Sequence, residues 1–284
     1  MTGKQLPAHI AAALAGNTAD SAGRPWADRD LSGSGNPLHT FDNDDGAADP
    51  ELADAVARLL GAPGQPGPRE RAVFAALGTA RVFIPIIAQV AEVAESEQGL
   101  TVDKEADMAL VTLTAPDGRK ALPIFSSTAA LGRWHPDARP VAVRAPRAAL
   151  AAAAEQAELL VLDPGAAVTF VLRRPAVWAL AQQADWLPSY EDRTVAELAG
   201  EVVRKEPDVV GLELKPASGV LTRAADGSIA SGGGPGPELR MDVRLRGGLS
   251  ADEVRAAVDS LRANLLGLAD FVERVDSLDI KLIR

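Results

Sequence analysis

There is no cysteine among the 284 residues. Disulfides, thiol nucleophiles, zinc–cysteine sites and iron–sulfur clusters are therefore excluded. Histidine is almost as scarce, with only His9, His39 and His135, so imidazole chemistry has few places to occur. Basic residues are outnumbered, 29 Lys and Arg against 39 Asp and Glu, for a formal net charge of −10. A chain this acidic gains little from phosphate backbones or anionic headgroups, so neither nucleic acid nor a membrane surface is the expected partner. No apolar run approaches the ~18 residues of a membrane span. The apolar stretch Ile10–Ala15 is short for the core of a signal peptide, and the expected location is the cytoplasm.

What is present is the composition of a folded protein: 47% hydrophobic and 24% charged residues. Three stretches rich in Gly, Pro and Ser punctuate the chain at 31–37, 61–68 and 224–237. Asp49-Pro50 predicts a helix start, with Leu52, Val56, Leu59 and Leu60 along one face. A second helix is predicted over 69–77. The apolar run 81–90 reads as a buried strand in which Pro85 implies an edge or a bulge. Residues 107–125 read as a hairpin closed by Ala115-Pro116-Asp117-Gly118. Strands follow at 140–143, 159–162 and 167–172, with helices at 145–157 and 175–183. In the last third, Thr194 with Glu197 and Ser250 with Glu253 have the spacing of capping boxes, and Val254, Val258, Leu261, Leu265 and Leu268 form an apolar stripe. Strands are predicted at 209–215, 239–245 and 278–283. This order implies an α+β protein, read as two small mixed-sheet domains with helices packed on the sheets. The expected boundaries are a tail over 1–22, a domain over 23–186 and a second over 187–284.

Candidate sites each have a structural explanation. Ser126 and Ser127 end a strand where a nucleophile could be presented, but no glycine flanks them as in a G-x-S-x-G elbow. His135 lies about two helical turns beyond Ser127, roughly 12 Å along the axis, so a cap by Ser127 or Thr128 is the expectation. Asp42, Asp44, Asp45, Asp49, Glu51 and Asp54 are dense enough to suggest calcium or magnesium. The EF-hand spacing fails, however, because Phe41 and Leu52 fall on ligand positions, so capping and solvation are expected. The run Gly232–Gly236 lacks the Lys-Ser or Lys-Thr of a phosphate loop and reads as a flexible connection. Trp134, Trp178 and Trp186 are expected in the core, Trp26 at a surface, and Arg173-Arg174 at a solvated strand end. No catalytic, cofactor-binding or metal-binding residue is assigned, and no cofactor is expected.

Three segments carry a family resemblance: RVFIPI at Arg81–Ile86, ALPIFSSTAALGRWHPDARPVAV at Ala121–Val143, and NPLHTFDNDDGAADPELADAV at Asn36–Val56. They resemble the SseB family, named for an enhanced serine sensitivity trait. Its N-terminal domain typically ends a strand in leucine-proline-(valine or isoleucine)-phenylalanine-threonine-serine and places a tryptophan in the next helix. Ser126 stands here where threonine is common. GRPWADRDL is similar to the actinobacterial branch. The resemblance spans about Gly23 to Gln183, and the final third is similar to the family's second domain in pattern. It implies a fold and no agreed reaction. The expected role is a non-catalytic module that binds an unknown protein partner or itself. The alternative is a small-ligand-binding protein or enzyme with a site between the two domains, for which Ser126, Asp44 and Asp45 are the residues to mutate first.

Overall fold

A computed structural model describes Phe41 and residues 43–60, 66–89, 107–223 and 227–283. Trp26, His9, His39, Asp42 and the proposed tail lie outside these residues. The chain divides into two compact units, 1–45 and 46–284. In the first, the described residues form a turn in which the Asp44 amide donates to the Phe41 carbonyl. The rest of the description concerns the second unit.

The second unit opens with helix α1 (Pro50–Ala57), where Asp49 accepts from the Glu51 and Leu52 amides and Pro50 needs no donor. Leu52 and Leu59 are buried, while Leu60 is exposed. Helix α2 (Pro66–Thr79) runs longer than predicted and buries Val73, Phe74 and Leu77. Strand β1 (Arg81–Gln89) lies between β2 (Asp107–Leu110) and β5 (Arg139–Arg144) in an antiparallel sheet. Pro85 is therefore in a central strand, not at an edge or a bulge. It opposes Pro140, and the β2 pairing stops one residue short of it at Ile86. The missing N–H thus falls where the ladder asks for none.

The predicted hairpin divides between two sheets. β2 joins β1, whereas β3 (Leu113–Thr114) pairs with β4 (Lys120–Ile124) across the turn. In that turn the Gly118 amide donates to the Ala115 carbonyl at 2.9 Å. The mixed four-stranded sheet has the order β3-β4-β6-β7, with β6 (Leu159–Leu162) parallel to β4 and β7 (Phe170–Leu172) antiparallel to β6. Helices α3 (Thr128–Trp134) and α4 (Ala145–Ala154) follow β4 and β5, and α5 (Arg174–Gln182) follows β7. Leu122, Ile124, Leu160, Leu162 and Leu172 point from this sheet into a core shared with α1, α2, α4 and α5.

After Gln183 comes α6 (Arg193–Val203). Its cap is Asp192, which accepts from the Thr194 amide. Glu197 instead pairs with Arg193, so Thr194 and Glu197 do not form the predicted box. Strands β8 (Val209–Pro216), β11 (Leu239–Leu245) and β12 (Leu278–Ile283) form a mixed sheet in the order β12-β11-β8. Helix α7 (Ala251–Leu266) begins at the predicted Ser250–Glu253 capping box, and α8 (Ala269–Arg274) follows. Val195, Leu239, Met241, Val243, Leu261, Leu265 and Phe271 form a second apolar cluster. Between β8 and β11 lies a short hairpin, β9 (Leu221–Arg223) with β10 (Ile229–Ser231). It was not legible in the sequence, and it meets the segment just after α1 through a bridge between Ala230 and Leu60. Helices beside mixed sheets make the protein α+β, as expected. No helix among the described residues is long and apolar enough to cross a membrane.

Candidate functional site

The carboxyl ends of the parallel strands β4 and β6 are where an open α/β arrangement places its ligands, and Ser126 stands there. Ser126 is buried. Its amide donates to Asp163 Oδ1 at 2.8 Å, and its carbonyl accepts from Arg81 Nη1 at 3.0 Å. Ser127 Oγ accepts from the Ala130 amide at 3.1 Å and caps α3. Thr128 Oγ1 donates to the Gly46 carbonyl at 3.2 Å. Gly46 has φ +75°, and a Cβ there would meet Thr128 Oγ1 at 2.5 Å, so the contact requires glycine. No hydrogen bond joins His135 to either serine. Its ring lies against Trp134, and its Nδ1 is buried without a hydrogen-bond partner.

The hydroxyls at this strand end therefore organise backbone. Ser127→Ala is expected to lower stability by about 1 kcal/mol, read from chemical denaturation; an unchanged midpoint would contradict the cap.

Sequence reasoning missed Asp163, which ends β6 in the left-handed region at φ 50°. Burial pushes its carboxyl up, while the Ser126 hydroxyl and amide and the Arg133 charge pull it down. It borders an open hollow of about 250 Å³ with Arg133, Trp134 and Gly165. The Asp-Pro-Gly run after an apolar strand was the available signal for a special turn.

Among the described residues, the acids of α1 and its cap are not gathered into one site. Asp49 caps α1, Asp54 pairs with Arg58 at 3.4 Å, and Glu51 is exposed. Among the described residues no group of three or more His, Asp or Glu side chains could hold a metal ion. Trp134 packs on Phe125 and Trp186 on Phe74, with centroids 5.2 Å apart in each pair. Trp178, expected in the core, is 42% exposed, with Arg174 over its ring.

The more open feature is a groove on the face of the four-stranded sheet that points away from the helices. The alternation of β4, β6 and β7 sets Ala121, Leu159, Val161 and Val171 on this face. With Leu113 and Pro235 they line a groove of about 280 Å³. Gly233 and Gly234 form one wall, and the turn before Arg119 forms another. The glycine run is not a loose connection: a Cβ at Gly233 would meet the Thr169 carbonyl oxygen at 2.5 Å, and one at Gly234 the Leu221 carbonyl oxygen at 2.4 Å.

Three charged side chains, Asp117, Arg119 and Arg173, line the groove, and all are engaged, the two arginines with Asp276 behind it. Asp276, just before β12, has a buried side chain that receives Arg119 Nη1 at 2.8 Å and Arg173 Nη1 at 3.1 Å. Arg173 Nη2 donates to the carbonyls of Gly219, Gly234 and Gly236 at 2.9–3.0 Å. Arg173 is therefore a structural clamp, not a solvated strand end. Asp117 completes the set by pairing with Arg119 at 2.7 Å. Burial would raise the Asp276 carboxyl, but the two guanidinium groups outweigh it and hold the carboxyl below the usual range. The arrangement offers apolar contact and shape. It presents no free nucleophile with a base beside it.

Residues 52–179 match the family model described as SseB protein N-terminal domain. No curated protein and no solved structure matches the chain.

Proposed function

We propose that this chain, which carries an SseB N-terminal domain, is a non-catalytic protein-interaction module whose groove over β3, β4, β6 and β7 receives apolar side chains of a partner protein. The observation that carries this reading is the groove itself, with an apolar floor and with every charged lining side chain held in an ion pair. An exposed apolar surface bounded by polar residues is the usual mark of a docking site. A volume of about 280 Å³ suits one or two large side chains better than a drug-sized ligand. The hydroxyls of Ser127 and Thr128, engaged with backbone, support the absence of catalysis. We further infer an actinobacterial type from GRPWADRDL, a cytoplasmic location, and separate domains over 23–186 and 187–284; the separate apolar cluster on the C-terminal sheet supports this division.

Val161→Glu tests the reading. Partners captured on the wild-type chain from lysate of its source are expected to be lost on Val161→Glu while the variant keeps its melting temperature. An identical set on both chains, or no partner on either, contradicts the groove.

The hollow at Asp163 favours a second reading, a small-ligand-binding protein or an enzyme. Thermal-shift screening against amino acids, nucleotides and divalent metals separates the two, since a ligand at a hundred times its Kd adds about 2.7 kcal/mol of stability. A shift abolished by Asp163→Asn would move the assignment to the hollow.

A further inference from the structure

The C-terminal sheet ends at β8. On one side β8 pairs antiparallel with β11, and among the described residues no strand lies on its other side. An open edge of this kind presents a row of N–H and C=O groups to any strand that matches it. Natural edges are usually blunted, and β8 is blunted by a bulge at its start and by Pro216, which offers no N–H, at its end. Arg244 opposes Gly211 and Leu245 opposes Val209, so Val210 is the extra residue of a bulge and is 59% exposed. Gly211 to Pro216 remain as a regular edge.

The side chains of that edge alternate between two faces. Leu212 and Leu214 lie on the α6 side, opposite Val243 and Met241. There they border an open groove of about 400 Å³ between β8 and α6, where Ala196 and Gly200 leave room. Glu213 and Lys215 lie on the other face. Their side chains meet at 2.7 Å, and Lys215 also holds the Asp242 carboxylate at 2.8 Å.

In an antiparallel pair centred on Leu214, Leu214 opposes its own copy, Leu212 opposes Pro216, and Glu213 opposes Lys215 twice. Opposite charges directly across a strand pair are stabilising and like charges are destabilising. The segment Leu212–Pro216 is thus complementary to itself in charge when its direction is reversed. Such self-complementarity is what a two-fold interface requires, because the same patch serves both sides. We propose that a second copy of this chain docks along β8, joining two three-stranded sheets into one of six strands. The paired leucines of both copies lie beneath the two α6 helices, and Glu213 of each copy pairs with Lys215 of the other. Lys215 keeps Asp242 in the dimer, and only Glu213 changes its partner. This surface is separate from the sheet groove assigned to a partner protein, and either can fail without the other.

The test is the mass of the full chain in solution over a wide concentration range, by sedimentation or light scattering. The wild type is expected to shift from one chain to two as concentration rises. Glu213→Lys sets lysine against Lys215 twice and leaves the Lys215–Asp242 pair in place, so its dimer is expected to weaken by at least about tenfold. Lys215→Glu is expected to do the same, and an equal mixture of the two variants is expected to dimerise again because each supplies the charge the other lacks. Should Lys215→Glu fail to fold, Leu214→Cys serves instead. The chain has no other cysteine, so mild oxidation is expected to link two copies through that position. The proposal is overturned by a chain that stays single at every concentration, with the edge left to a different protein. It is equally overturned by a dimer that Glu213→Lys does not weaken, by variants that remain apart when mixed, or by Leu214→Cys chains that do not cross-link.

Discussion

Asp276→Ala is expected to destabilise the fold by about 3 kcal/mol or more, the usual result of removing one member of a buried ion pair. The Asp276 side chain is 1% exposed, and two arginines from distant parts of the chain converge on it. Without the carboxylate, Arg119 and Arg173 are left as like charges beside an apolar groove. The three glycine carbonyls on Arg173 soften the loss and do not cancel it. For a chain of this size the melting temperature should fall by roughly 2–4 °C per kcal/mol. Because the folded Asp276 carboxyl is held below its ordinary range, its stabilisation is present above the unfolded value near 3.8 and is lost as pH falls through the folded value. The wild type should therefore lose stability in acid more steeply than Asp276→Ala. Equal acid slopes and a drop below about 1 kcal/mol, the scale of a surface pair, would show that the pair is not a clamp.

Glu70 gives the opposite pH dependence. It lies on α2 facing Glu238 and Arg173 around a cavity of about 20 Å³, with Oε1 buried and without a hydrogen-bond partner. Glu191, which also raises the Glu70 carboxyl, is paired with Arg71 at 3.3 Å. Burial first, and the Glu238 charge second, push the Glu70 carboxyl from 4.5 up to about 8, while Tyr190 and Arg173 work against the rise. A group raised in the folded state stabilises fully below its unfolded value and loses that contribution as pH rises through the folded value. Each pH unit between the two is worth about 1.4 kcal/mol, so stability should decline by several kcal/mol between pH 4.5 and pH 8. Burial raises Glu238 as well, which adds to the decline with the same sign. Glu70→Gln carries no charge at any pH. Its profile over this window should be flatter, and at pH 8 it should be more stable than the wild type. Denaturant titrations at several pH values measure both; parallel profiles for the two chains would show that Glu70 is not the titrating group.

Features with local causes were legible in the sequence. Leu239–Leu245 and Leu278–Ile283 alternate or run apolar within a few residues, and Ser250 with Glu253 satisfies its own amides, so these elements stand where they were predicted. Features decided by distant partners were not. Thr194 has the spacing of a cap, but Asp192 accepts the Thr194 amide and starts the helix first. The hairpin arm expected over 108–114 breaks at Val111–Thr112 because β1 draws in one half and β4 the other. The three-residue strands of β9 and β10 are too short to show a period. The glycine run looks like a flexible linker until Arg173 gathers its carbonyls. Asp276 is 157 residues from Arg119, and no local pattern announces their contact. At the candidate site, the caps of α1 and α3 were legible, whereas Asp163 and the groove needed the sheet to be assembled.

The most direct measurement is methyl NMR of the chain while a captured partner is added. Docking in the groove should move the methyl signals of Leu113, Val161 and Val171 and leave the Trp134 indole beside Asp163 unchanged. If instead the Trp134 and Ala166 signals move and the groove methyls stay still, the binding surface lies at the strand end and the groove is not the docking site.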